Sequence, residues 1–340
     1  SGTYSGKKGA YSSPHSKNYN WRTIAHNSLL VYDPDEVFGT RGDYGNDGGQ
    51  RLPNDRREPA TLSILQDPAN RYVTGKVLAQ GFGPDLQTPD YSYLKGDITE
   101  AYSEKVTEVK RTFTFLNLKN SKVPAALIVF DRVISANPEH KKFWLMHSME
   151  EPKTDGNVTS IILSKRGWTG MLVNTTLLPE PGNTELNVIG GPGKEFWVFG
   201  VNYDNEPTTG DVPANEVGEW RVEISPKTPS PADNFLNVMQ MMDKSNPQAL
   251  QVRRIDGKQC VGVQIADRVV IFNRNADIKG TPFTFSIQGE GEYKILVTDL
   301  LPGTWQVRKE GKVVHPGLPA REDDGLIYFT GTAGNYTLLR

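Results

Sequence analysis

Residues 105–133, KVTEVKRTFTFLNLKNSKVPAALIVFDRV, decide the fold class of this chain. The first part, residues 105–115, alternates well between apolar and polar positions, which is typical of a strand with one covered face. The second part, residues 125–133, is almost continuously apolar, as expected for a strand that is covered on both faces. Two strand signals this close together in the chain predict β structure.

Similar strand signals recur at short spacing along the rest of the chain, and no convincing helix of about ten residues or more interrupts them. Glycine (33 residues) and proline (23 residues) are frequent, which fits many short strands joined by turns. We therefore predict an all-β chain, in which a large antiparallel β-sandwich is followed by a smaller C-terminal β-sandwich domain.

The boundary between the two predicted domains depends on a Pro/Ser stretch at residues 225–231. Such a stretch is compatible with an interdomain linker, because proline resists helices and central strands. The apolar residues 234–242 follow directly, however, and fit a strand of the first domain better. We predict domains at 1–245 and 246–340, with hairpin turns at 289–291 and 310–312 inside the second domain.

Charge and composition exclude several classes of protein. The chain has 38 Lys and Arg against 40 Asp and Glu, and this net charge of -2 disfavours nucleic acid as a partner. Cys260 is the single cysteine, so an intrachain disulfide is impossible, and its alternating surroundings favour a buried thiol over a reactive one. No apolar run approaches the roughly 20 residues that span a bilayer.

No common nucleotide-binding, thiolate-zinc or nucleophile-elbow motif occurs in the sequence. The candidate functional residues that remain are concentrated near the N-terminus. His26 lies where a polar stretch meets the apolar strand at residues 28–32. Its ring could cap the strand, or it could belong to a site assembled at the strand end; the spacing leaves both interpretations open. The acidic, glycine-rich loop at residues 43–51 lacks the pattern of a calcium loop and is interpreted as solvated.

Aromatic and basic residues are dense in the first 22 positions, a composition that suits stacking on sugar rings and pairing with carboxylate or sulfate. The alternative is an ordinary surface loop. The predicted substrate-binding residues are Tyr4, Tyr11, His15, Tyr19 and Arg22. No catalytic residue is assigned within this chain.

Several segments together resemble the heparinase II/III-like polysaccharide lyases. They are residues 1–4, 22–31, 93–102, 109–111, 130–133 and 144–148, and they include the stretches RTIAHNSLLV and YLKGDITEAY. The likeness covers residues 1–150 clearly. In the remainder it rests on the expected architecture.

The resemblance implies a fold, a reaction and a metal. Members of the family join an α/α toroid to a large β-sandwich and a smaller β-domain, and they cleave acidic polysaccharides such as heparin, heparan sulfate or alginate by β-elimination. Tyrosine and histidine serve as acid and base, and the substrate carboxylate must be neutralised. By resemblance, His26 is a ligand of a zinc ion with a structural role.

This sequence departs from the family pattern at its start. The toroid, a His-X-His strand and an aspartate that precede the Gly-Thr-Tyr segment are missing, and these would supply catalytic residues and two metal ligands. We therefore expect the C-terminal portion of a lyase, inactive alone, whose site is completed by an N-terminal segment of the same protein or by another chain.

Two hypotheses from different classes remain at this point. The first is the lyase portion just described, acting in the bacterial periplasm or after secretion and compatible with a homodimer. The second is a non-catalytic carbohydrate-binding or structural β-sandwich module. In both, the expected partner is an acidic polysaccharide.

Overall fold

The computed structural model describes residues 13–38, 44–51, 58–164, 167–204 and 218–340. Most of these residues lie in antiparallel strands, which confirms the predicted all-β class. The helical segments in the described part are short: a π-helix at Ser16–Asn20, 3-10 helices at Thr23–Ala25, Pro68–Asn70, Thr99–Ala101 and Pro181–Asn183, and helix α1 at Leu62–Gln66.

The strands of the first two thirds of the chain are β1 (Leu29–Tyr32), β2 (Lys76–Gly83), β3 (Tyr91–Asp97), β4 (Val106–Asn117), β5 (Ala125–Ser135), β6 (Lys141–Ser148), β7 (Lys153–Asp155), β8 (Val158–Ile162), β9 (Gly170–Leu178), β10 (Thr184–Gly190), β11 (Trp197–Val198), β12 (Val201–Asn202), β13 (Trp220–Pro226) and β14 (Ala232–Asp243). The remaining strands are β15 (Val252–Asp256), β16 (Cys260–Ile265), β17 (Arg268–Asn273), β18 (Phe283–Val297), β19 (Gly303–Lys309), β20 (Lys312–Ala320) and β21 (Ile327–Leu339).

The chain forms two compact units that interleave along the sequence. Unit 1 contains residues 1–76, 97–109 and 133–236, and unit 2 contains residues 77–96, 110–132 and 237–340. Both units are therefore assembled from three separate segments. The division of the sequence into domains 1–245 and 246–340 stays a prediction.

In unit 1, a four-stranded sheet has the order β1-β6-β13-β10. Strand β1 pairs with β6 in antiparallel register, with Leu29 opposite Trp144. Leu29, Leu30 and Val31 are fully buried, as the continuous apolar run predicts for a strand covered on both faces. In the same unit, β7 pairs with β8 and β8 pairs with β9, both in antiparallel register.

One face of the four-stranded sheet carries the core that positions the candidate site. Its buried residues are Tyr19, Ile24, Ala25, Leu30, Phe143, Leu145, Phe196 and Val198. Segment 13–28 thus lies on this sheet face through Tyr19, Ile24 and Ala25. Burial of these apolar side chains, each contributing about 1.5–3 kcal/mol if large, holds the polar residues between them in place.

In unit 2, a seven-stranded sheet has the order β15-β16-β17-β18-β21-β19-β20. Strand β21 lies between β18 and β19, so residues 327–339 occupy the interior of the sheet. Strands β17 and β18 pair in parallel, whereas the other paired strands of this sheet are antiparallel. Trp305 and Tyr336 are the largest fully buried side chains of its core.

The two predicted hairpin turns have different outcomes. The turn at residues 310–312 is confirmed: Glu310 and Gly311 both have positive φ, and Lys309 pairs with Lys312 across the β19–β20 hairpin. The turn at residues 289–291 is wrong. Gly289 and Gly291 have positive φ, but they lie at an irregularity within the single strand β18, which pairs with β21 on both sides of it.

Across the described residues, no helix has the length and apolar character needed to cross a membrane.

Candidate functional site

Segment 13–28 carries most of the candidate site, and local hydrogen bonds fix its course. The Ser13 hydroxyl accepts from the backbone N of Ser16 at 3.1 Å and so holds the start of the π-helix. The Asn18 side chain donates to Pro14 O at 3.0 Å and accepts from the backbone N of Gly45. The segment is therefore tied to itself and to the 44–51 loop.

His15 is buried beside two aromatic rings, at centroid distances of 4.6 Å from Phe196 and 5.7 Å from Tyr19. Its Nδ1 lies 2.7 Å from Tyr203 O, and because a carbonyl oxygen can only accept, we place the proton on Nδ1. Burial lowers the pKa of His15, against the opposing effects of Tyr203 and Asp204. Within the described part of the chain, Nε2 has no hydrogen-bond partner.

Tyr19 is also buried, with its hydroxyl in hydrogen-bond contact with Arg221. Burial raises the pKa of Tyr19, and the Arg221 guanidinium opposes that rise. Arg221 in turn donates from Nε to Glu223 Oε1 at 2.8 Å, with both side chains almost inaccessible. The result is a buried tyrosine, arginine and glutamate chain on the sheet face.

Arg22 pairs with a second buried carboxylate. Its guanidinium lies 2.5 Å from Asp47 Oδ1 and stacks over the Phe38 ring at 4.1 Å. Asp47 also accepts from the backbone N of Ile24 and of Gly49, both at 3.2 Å. A fully buried Asp47 contradicts our interpretation of the 43–51 loop as solvated, at least at this position.

The backbone at Gly49 lies in close contact with the side chains of Thr23 and Asp47. A Cβ at position 49 would lie 2.4 Å from Thr23 Cβ and 2.6 Å from Asp47 Oδ2, which no real side chain tolerates. The Thr23 hydroxyl accepts from the backbone N of Gln50 at 2.7 Å. The 44–51 loop is thus closely apposed to the residues that lead to His26.

His26 lies on the exposed edge of the segment, and its backbone N donates to Thr23 O at 3.0 Å. Partial burial lowers the pKa of its ring, and a hydrogen bond with the backbone of Asn20 opposes this. His147 on β6 holds the same turn: its Nε2 donates to Ile24 O at 2.9 Å and its backbone N donates to Asn27 Oδ1 at 2.9 Å. His147 is therefore part of the support of the His26 turn, and burial lowers its pKa to about 3.

The described residues do not by themselves fit a zinc site. Among them, no group of three or more His, Cys, Asp or Glu side chains converges on one point. Structural zinc needs four ligands, and catalytic zinc usually has three from the protein. We derive no chemical step through a metal, and the assignment of His26 as a zinc ligand stays a prediction.

The structure brings together some of the predicted substrate-binding residues. His15 and Tyr19 are neighbours, whereas Arg22 turns away to Asp47 and Phe38. All three are buried within this chain, so their contact with a substrate stays a prediction. Tyr4 and Tyr11 lie outside the described residues.

Sequence reasoning missed Arg221 and Glu223. A signal for them existed, because residues 220–224 alternate around a charge at 221 and a charge at 223. Two charged residues two positions apart in a strand share one face. If the strand is central, as β13 is, they must be buried and paired with each other or with a third group.

The combined arrangement has the components of acid–base chemistry. A neutral imidazole whose Nε2 has no partner in the part of the chain that the structure describes can accept a proton, and a tyrosine hydroxyl next to a guanidinium can donate one. Both groups are closely packed, which fixes their orientation. The cluster of His15, Tyr19, Arg221 and Glu223 is called the polar cluster below.

Comparison with known proteins finds a family match in the last part of this sequence. Residues 254–340 match the family model of the heparinase II C-terminal domain. No curated protein matches. Among solved structures, similarity is found to a crystal structure of heparinase III, with 12% identity and a TM-score of 0.37, covering 58% of this chain and 27% of that one.

A second solved structure, a heparinase III gene product with methylated lysines, is 10% identical with a TM-score of 0.39 and covers 80% of this chain. This chain spans 42% of that structure, so it corresponds to less than half the length of either heparinase III. The match at residues 254–340 confirms the resemblance seen in the sequence: this part of the chain is similar to the heparinase II C-terminal domain.

Proposed function

We propose that this chain is the β-sandwich portion of a lyase that cleaves a uronate-containing polysaccharide by β-elimination. The observation that carries the proposal is the heparinase II C-terminal domain at residues 254–340. The polar cluster of unit 1 supports it, because β-elimination needs a group that takes a proton and a group that returns one.

In this reaction a base removes the proton at C5 of the uronate, and the C4–O bond breaks to leave an unsaturated sugar. The substrate carboxylate must be neutralised while negative charge develops on it. We propose that two groups contact the substrate: His15, whose Nε2 has no hydrogen-bond partner among the described residues, and Tyr19 beside Arg221. Both side chains are buried within this chain. The proposal therefore needs a further segment, from the same protein or another chain, that completes the site and makes these side chains accessible to the substrate.

The test is the release of unsaturated uronate, followed by its ultraviolet absorbance. The whole translated protein that contains this chain would be incubated with heparan sulfate and with alginate, and with dextran as a neutral control. We expect product from at least one uronate polymer and none from dextran. Absence of product from both uronate polymers would contradict the proposal.

Matched variants connect the activity to the polar cluster. We expect Tyr19→Phe to lower kcat/KM by about 10- to 100-fold, the range of one charge-assisted hydrogen bond. His315→Ala in β20 changes a histidine of the other unit and should leave kcat/KM unchanged. Retention on a polysaccharide affinity gel without any product would instead favour the non-catalytic carbohydrate-binding module.

Two further assignments belong to this proposal. A polymeric substrate does not cross a membrane, so we propose that the protein works in the periplasm or after secretion. We also propose that His26 binds zinc together with ligands from outside this chain. Elemental analysis of the whole protein would then show less zinc in His26→Ala, and unchanged zinc would refute the assignment.

A further inference from the structure

Unit 2 contains a second concentration of charge, centred on the carboxylate of Asp90. The ammonium group of Lys119 lies 2.8 Å from Oδ1, and that of Lys294 donates to Oδ2 at 2.7 Å. The Tyr328 hydroxyl also donates to Oδ2, at 2.9 Å, and the Arg268 guanidinium lies 3.7 Å from Oδ1. We call these five residues the Asp90 cluster.

The cations of this cluster keep Asp90 ionised. Two further carboxylates act on them: Asp267 pairs with Arg268, and Asp85 interacts electrostatically with Lys119. Burial alone would raise the pKa of Asp90, yet hydrogen bonds from Lys119, Lys294 and Tyr328 hold the pKa well below its usual range.

The two ammonium groups are accessible from solvent. The Lys119 and Lys294 side chains are 50% and 30% exposed, whereas Asp90 and Arg268 are buried. An ammonium group has three donors. Among the described residues, Asp90 is the only hydrogen-bond or ion-pair partner of either ammonium group, so each has donors left for a ligand.

The two ammonium groups are also held in place. Each lies against a different oxygen of one carboxylate, which keeps them side by side. Lys119 has a positive φ of 52°, a conformation that costs a non-glycine residue stability, and its backbone N donates to Asn117 Oδ1 at 3.3 Å. Groups that are already ordered lose less entropy when they bind a ligand.

One partly exposed aromatic ring adjoins the lysines. Tyr328 is partly exposed and its hydroxyl shares Asp90 Oδ2 with Lys294, whereas the Tyr91 ring, 5.2 Å from the Tyr328 ring, is buried. An aromatic ring beside charged donors suits a ligand with an apolar ring face and an anionic group. An acidic sugar has both features.

We propose that Lys119 and Lys294 form a binding site for the oxyanion of an acidic sugar, with Asp90 holding the two ammonium groups side by side. The oxyanion is either a sulfate ester or a uronate carboxylate, because both accept charge-assisted hydrogen bonds from ammonium groups. The site uses no residue of the polar cluster. Binding to it can be measured without turnover, so its test is independent of the proposed lyase activity.

Calorimetric titration of the intact chain tests the proposal with three probes: a heparin-derived tetrasaccharide, an oligoguluronate and inorganic sulfate. We expect a saccharide to bind, and the double variant Lys119→Gln, Lys294→Gln to weaken it by about tenfold per lysine, as for charge-assisted hydrogen bonds. Lys122→Gln is the matched control, since Lys122 is exposed in the same turn but pairs with Gln248.

Binding of only the heparin probe assigns a sulfate, and binding of only the oligoguluronate assigns a carboxylate. Either result supports the proposal. Equal weakening by Lys122→Gln, unchanged binding in the double variant, or binding of inorganic sulfate alone would overturn it. If the double variant fails to fold, Lys119→Gln and the charge-retaining Lys119→Arg, at the half-exposed position, give the same comparison.

Discussion

Lys95 and Asp299 form an ion pair in the interior of unit 2: Nζ lies 2.5 Å from Oδ1, and the side chains are 4% and 1% exposed. Lys95 also donates to Ala276 O at 2.6 Å, and Asp299 accepts from the backbone N of Asn273 at 3.0 Å. The pair joins strand β3 to the loop after β18. A domain cut at residue 245 or 254 would therefore lack the partner of a buried carboxylate.

Lys95→Met should destabilise the chain strongly, because it leaves Asp299 buried without its cation. Removing one partner of a buried pair costs about 3–5 kcal/mol. Chemical denaturation would measure the free energy of unfolding. The control is Lys141→Met, which breaks an exposed pair with Glu185 and should cost about 1 kcal/mol or less. Equal effects of the two variants would show that the Lys95 pair is not buried in solution.

The Asp90 carboxylate should make the free energy of unfolding depend on pH in the acid range. Its pKa in the folded chain is below the unfolded value of about 3.9, so the stabilisation is complete above about pH 4 and is lost as the pH falls further. The free energy of unfolding of the native chain should thus decrease between about pH 4 and pH 2. Asp90→Asn should show a smaller decrease in that range, and an identical pH profile would contradict the pairing.

Asp47→Ala should loosen the turn that leads to His26. Asp47 is fully buried and pairs with Arg22, so its removal leaves a buried guanidinium unpaired, at a cost of about 3–5 kcal/mol. It also frees the backbone N of Ile24. Hydrogen exchange at Ile24 should accelerate in Asp47→Ala but not in Asp35→Ala, an exposed change in a nearby loop. Unchanged exchange at Ile24 would refute this role.

Cys260 should be unreactive in the folded chain. The thiol is fully buried and contacts Thr284 O at 3.4 Å, and burial raises its pKa from 9.0 to about 11. Two pKa units mean about a hundredfold less thiolate near pH 8. Labelling with a thiol reagent should therefore be at least about a hundredfold slower in the native chain than in denaturant. Comparable rates would contradict the burial.

Strand positions were predictable because the signals for them are local. The apolar runs at residues 28–32, 125–133 and 234–242 became β1, β5 and β14. The covered face was not predictable in the same way. Phe113 and Phe115 are 36% and 41% exposed, while Thr112 and Thr114 are buried. Alternation defines two faces of a strand, but which of them is covered depends on distant segments.

The candidate site was only partly predictable for the same reason. Tyr19 and Arg221 are far apart in sequence, and nothing local indicates that they meet. His26 was visible as a histidine at the start of an apolar strand. The hydrogen bond from His147 to Ile24 O, however, depends on the pairing of β1 with β6. Residue types and local periodicity were thus predictable, whereas long-range partners were not.

The position of β21 inside its sheet has a consequence for biosynthesis. The ribosome releases residues 327–339 after every other strand of unit 2, yet they separate β18 from β19. Until then the nascent chain exposes unpaired strand edges, which are the sites where chains aggregate. We expect unit 2 to acquire protease resistance only once residues 327–339 have left the ribosome, and a stalled chain that ends before Ile327 to remain sensitive.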